Sequence, residues 1–218
     1  MEYANITLRL LAASQILLLI IAIGLSQNPI RVRVVGVLLQ VGVCMYMLMP
    51  LITDYLQWPN GQYLWFFTAI SPSMLVLFTW FIFEEDCTFP WWLVVLVTFS
   101  IGSSLYYQIL HLGLPGSPGW LKALKIFIAA VAIYIVWRGK DHDLVETRYK
   151  MRNIFIMGLA LITFTASFAE TVTNFNLPTH VATLFAGITF IFATTLNYSY
   201  LKKNATGQLS ADPIPVAR

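Results

Sequence analysis

Arg9, His111 and Glu170 each fall inside a long apolar run of this sequence. An ionisable group in hydrocarbon is expensive and marks a functional site by default. Glu170 has the most support, because Thr163, Ser167, Thr171 and Asn174 recur beside it at helical spacing and give one helix a polar stripe. If successive runs cross a bilayer in alternating directions, Arg9, His111 and Glu170 share its outer third. Trp65 and Tyr107 fall in the same outer half and can wall a site there. Two kinds of chemistry fit. One is a small, partly wet pocket for an apolar or amphipathic molecule with a polar tip. The other is an interhelical hydrogen-bond network near the interface, where polarity costs less.

Other chemistries find no support. There is no Gly-x-Ser-x-Gly, His-Glu-x-x-His or Walker sequence. Glu84-Glu85-Asp86 has no second acidic cluster to complete a cation site and reads as a solvated helix end. Cys44 and Cys87 show no metal-ligand spacing and read as small apolar fillers. A retinal-type Schiff base needs a buried lysine in the last apolar run, which has none. We therefore expect no catalytic residues, no metal and no cofactor.

The elements that must position these residues follow from hydropathy. Charged residues are 11% of the chain and hydrophobic ones 58%, with a mean hydropathy of +0.73. Soluble domains average roughly 25% and 45–50%. Seven apolar runs, about 5–26, 33–53, 64–84, 91–113, 121–138, 153–174 and 181–201, each approach the length that crosses a bilayer. Breakers separate them, including Asn28-Pro29, Trp58-Pro59-Asn60-Gly61, Pro90, the Pro115–Gly119 cluster and Pro178. The fifth run is short and opens with Lys122 and Lys125, which we expect to snorkel to the interface beside Trp120. Without it the count is six. The expected fold is an all-α membrane protein, a seven-transmembrane helix bundle over residues 1–203, with a flexible tail or linker over 204–218. Gln15 and Gln40 are expected to form interhelical hydrogen bonds. Pro72 is expected to kink the third span, with Ser71 and Ser73 taking up freed backbone groups.

Charge sets the orientation. The chain has 13 Lys and Arg residues. With the N-terminus outside, two of them (Arg31, Arg33), five more at 138–152 and three in the C-terminal tail lie inside, leaving Arg9, Lys122 and Lys125 outside. The positive-inside bias thus favours an external N-terminus and a cytoplasmic C-terminus.

The block from Arg138 to Arg152 is the densest charge in the chain. Asp143 can cap the sixth helix, Glu146 suits its first turn, and Lys150 stands at pairing distance from Glu146. Arg148 and Arg152 share a face and can meet anionic headgroups. The run Asp143-Leu-Val-Glu146-Thr-Arg148-Tyr-Lys150-Met-Arg152, together with Val34–Leu48 and Ser71–Asp86, resembles the N-terminal seven-helix membrane domain of bacterial AraC-type membrane-bound transcriptional regulators. In that family a cytoplasmic helix-turn-helix module follows the seventh helix. The resemblance implies a non-enzymatic sensory or signal-transducing domain in the bacterial cytoplasmic (inner) membrane. Its output would be the loop with Asp143, Glu146, Arg148 and Arg152 and the end of the seventh helix. Its partners would be the lipid bilayer and a cytoplasmic transcriptional regulator or fused helix-turn-helix module, with a homodimer left open and no direct nucleic-acid binding by this chain. The alternative is a small-solute transporter or channel, which predicts internal symmetry and charge near the midplane.

Overall fold

In the computed structural model the described residues are 2–26, 28–58, 61–83, 90–110, 118–138, 158, 160–163, 165 and 178–209, and the regular elements among them are all helical. The long helices are α1 (Glu2–Gly24), α2 (Ile30–Pro50), α3 (Trp65–Phe83), α4 (Trp91–Leu110), α5 (Gly119–Arg138) and α6 (Thr179–Leu209). They follow the first five expected spans and the seventh. Residues 160–163, also helical, fall within the expected sixth. All of the long helices except α4 are long and apolar enough to cross a membrane, and α4 carries a shorter apolar stretch, Trp91–Tyr107. The chain has the build of an all-helical, multi-pass membrane protein.

Proline sets where four of these helices begin. Pro29, Pro90, Pro118 and Pro178 immediately precede α2, α4, α5 and α6, and their carbonyls accept the first helical N–H bonds. A proline at a helix start sacrifices nothing, because its missing N–H would have no partner there and its φ is preset. The end of α2 is less regular. Past Pro50 the chain forms a π turn, Leu51–Tyr55, in which the Leu56 N–H reaches back to the Leu51 carbonyl at 3.0 Å. Gln57, at φ 46°, then stops it in the left-handed region.

Contacts fix the helix directions. α1 and α2 run antiparallel: Arg9 Nη1 donates to the Met47 carbonyl, and Arg33 Nη1 donates to the Gly24 carbonyl, each at 3.3 Å. α2 and α3 are antiparallel as well, with Phe67 and Ser71 against Gly42 and Phe78 against Gly36. α3 and α4 follow suit, through a Ser73–Ser100 hydroxyl pair at 2.9 Å and Trp80 edge-on to Trp92 at 6.1 Å. α1 and α6 are parallel, since Leu8 lies beside Gly187 and Asn197 bonds to Gln15.

α6, α1, α2 and α3 thus pack in sequence, and α3 also receives α4 and α5. α3 is the hub: 61% of its apolar window is buried, against 22% for α1 and 17% for α6. Leu75 and Val76 of α3 are fully buried, as are Leu39, Leu93 and Ile128 on its neighbours and Ile16 on α1. Exposed aromatics collect toward the helix ends. Tyr3, Tyr55, Trp58, Tyr63, Tyr106 and Trp120 mark one end; Trp91, Trp92, Trp137 and Tyr198 mark the other. Two such belts match the two bilayer interfaces.

Two expectations are corrected. Lys122 does not snorkel outward but is 8% exposed, inside the bundle. It shares a helix face with Ala129, Ala132 and Val136, the inward face of α5. The second concerns residues 204–209, which were expected to be flexible. They continue α6 as helix to Leu209. Once a helix is nucleated, each further residue adds a hydrogen bond, so polar composition alone does not end it.

Candidate functional site

Arg9 is the best-defined of the expected site residues. It lies on α1, is 9% exposed, and therefore needs acceptors inside the bundle. One acceptor is local: its Nε donates to Asn5 Oδ1 at 3.1 Å, one helical turn away. The other is created by Pro50. Without an N–H, Pro50 cannot donate to the Tyr46 carbonyl. The disturbance reaches the next peptide, because the Leu51 N–H bonds to the Leu48 carbonyl, three residues back instead of four. The Met47 carbonyl is thereby left out of that bond, and Arg9 Nη1 donates to it at 3.3 Å. A helix defect on α2 thus becomes the binding partner of a charge on α1. Hydrogen bonds from charged donors contribute about 1.5–3 kcal/mol each. The Tyr55 hydroxyl closes the same end by donating to Glu2 Oε1 at 2.7 Å.

Trp65 is the first residue of α3 and Tyr107 lies in the last turn of α4; both are half-buried. Antiparallel packing brings them to the same end of the bundle as Arg9. Tyr107 does not share its interface, since α1 packs on α2 and α6, whereas α4 packs on α3 and α5; Trp65 is on α3, which itself packs on α2. His111 and Glu170 lie outside the described residues, and so do Asp143, Glu146, Arg148 and Arg152 of the output loop.

Several participants were not singled out from the sequence: Asn5, Met47, Pro50, Glu2 and Tyr55. Asn5 had a signal, being four residues before Arg9. Pro50 had another, as a proline inside an apolar run. The pairing of the two defects depends on interhelical register, which no local pattern encodes.

At the opposite end, the Arg33 guanidinium caps the end of α1 through the Gly24 carbonyl, where the helix dipole favours a cation. Between the two ends, Asn197 Nδ2 donates to both the backbone and side-chain oxygens of Gln15, at 2.9 and 3.0 Å. Gln15 therefore forms the interhelical bond expected of it, and Gln40 is buried. Ser73 turns its hydroxyl across to α4 rather than to its own backbone, as had been expected beside Pro72. Among the described residues, no three His, Cys, Asp or Glu side chains gather as a metal site. The arrangement can hold a buried cation and clamp helices together by hydrogen bonds. Compared with known proteins, the chain matches no family model, no curated protein and no solved structure.

Proposed function

We propose that this chain is a seven-span sensory domain of a bacterial cytoplasmic membrane, with its N-terminus outside and its C-terminus inside, relaying a membrane or small-molecule signal to a transcriptional output. Parity supports the seventh span. α1 to α4 alternate in direction, and α5, crossing in turn, ends opposite the point where α6 must begin to run parallel to α1. A further crossing over 153–174 reconciles the two. Helical residues 160–163 sit in its middle, and Gly158 lies tightly against Phe192 of α6. Positive charge supports the orientation, because Arg31, Arg33 and Arg138 fall at the same end.

The observation that carries the functional reading is the length of α6. Its apolar window is Thr179–Ser199, yet the helix runs on to Leu209, 31 residues in all. At 1.5 Å per residue that is about 46 Å, well beyond a hydrocarbon core of about 30 Å. A continuous helix carries any tilt or slide of the bundle past the inner surface, and the Asn197–Gln15 clamp couples that helix to α1. The input, on this reading, enters at the Arg9 end. A ligand switches the domain only if it binds two helix arrangements unequally.

The test is affinity purification of the membrane-embedded chain. A DNA-binding regulator should co-purify, and charge reversal at Arg148 and Arg152 should release it. Solute flux into proteoliposomes that Glu170→Ala abolishes would instead establish a transporter.

A further inference from the structure

Three observations between α3 and α4 converge on one place. The first is Ser104 of α4, 1% exposed, whose hydroxyl has no hydrogen-bond partner among the described residues. Serine inside a helix usually bonds back to a carbonyl of the preceding turn. Here Ser103 takes the Ser100 carbonyl at 3.1 Å instead. The second is Pro72 of α3, which has no N–H and so leaves the Thr68 carbonyl without its ordinary donor. Thr68 cannot repair this with its own hydroxyl, which bonds to the Trp65 carbonyl at 2.8 Å. The third is register. Ser73 meets Ser100, and Trp80 meets Trp92, so the helices pass antiparallel with matched levels. One turn toward the Arg9 end, Ser104 comes level with Thr68 and Ala69.

We propose that one buried water binds between α3 and α4, accepting from or donating to Ser104 Oγ and donating to the Thr68 carbonyl. The chemistry of the site selects for water. It pairs a hydroxyl, which can both donate and accept, with a carbonyl that has lost its ordinary helical donor and can only accept. A buried water needs at least two such partners, and these two supply them beside a cluster of buried serines. Leaving both groups unpaired would incur the desolvation cost of each. Bridging them removes it and ties the proline break in α3 to α4. The water is then a structural part of the hub helix, set beside the Ser73–Ser100 pair.

A double-mutant cycle between Ser104→Ala and Pro72→Ala, read as thermal unfolding in detergent micelles, tests this directly. Removing the Ser104 hydroxyl should lower Tm by about 2–4 °C, corresponding to about 1 kcal/mol in a chain of this size. Pro72→Ala gives the Thr68 carbonyl its helical N–H back, so in that background Ser104→Ala should shift Tm by less than half as much. A hydroxyl that is merely orphaned predicts the opposite sign, since its removal would leave Tm unchanged or raise it. Either that outcome or equal losses in both backgrounds would overturn the proposal.

Discussion

Arg9 shows how one side chain is held where charge is unwelcome. Its two acceptors come from unrelated sources, an asparagine one turn away and a carbonyl displaced by a proline on the next helix. The coupling is testable. Arg9→Ala should lower Tm in micelles by several degrees, at about 2–4 °C per kcal/mol, because it strands Asn5 and Met47. In a Pro50→Ala background Leu51 can return to the Met47 carbonyl, and the loss should shrink. Identical losses in the two backgrounds would mean that the Met47 bond contributes nothing. Arg9 was legible in the sequence as an ionisable group in an apolar run. Its partners were not, because they depend on which residues face each other across an interface. Lys122 illustrates the same limit: the sequence placed it correctly near a helix start, but only packing decides whether a lysine there turns in or out.

At the level of helices, close approach depends on residues without side chains. A Cβ on Gly42 would stand 2.6 Å from the Phe67 carbonyl oxygen and 2.7 Å from Ser71 Cβ. Backbone cannot step aside, so Gly42→Ala must separate α2 from α3. We expect a cost of about 1–3 kcal/mol, the usual range for overpacking, visible as a lowered Tm. Gly102 on α4 is the control, because a Cβ there meets nothing within 4 Å among the described residues. Gly102→Ala should be neutral or stabilising by up to about 1 kcal/mol, since Ala is the better helix former. Equal effects at the two positions would contradict the α2–α3 packing. Helix positions were largely readable beforehand, since apolar length and proline punctuation each report a strong physical constraint. The far end of α6 was not. Its residues are polar, and composition does not distinguish a helix leaving the membrane from a disordered tail.

The whole molecule combines a deeply buried hub, α3, with a loosely embedded pair, α1 and α6, that runs the full length of the bundle. On the proposed relay, the pair would move against a fixed centre, with the 31-residue α6 as the element that carries the motion outward. The parallel course of α1 and α6 is central, because with α6 as the last span it sends the two termini to opposite faces. Cysteine labelling in intact bacterial cells reads this out. Tyr3→Cys and Ser210→Cys would be introduced singly into a chain carrying Cys44→Ala and Cys87→Ala, then exposed to a membrane-impermeant thiol reagent. Residue 3 should label in intact cells, and residue 210 only after the membrane is permeabilised. Labelling of both positions from the same side would contradict the seven-span topology and the relay built on it.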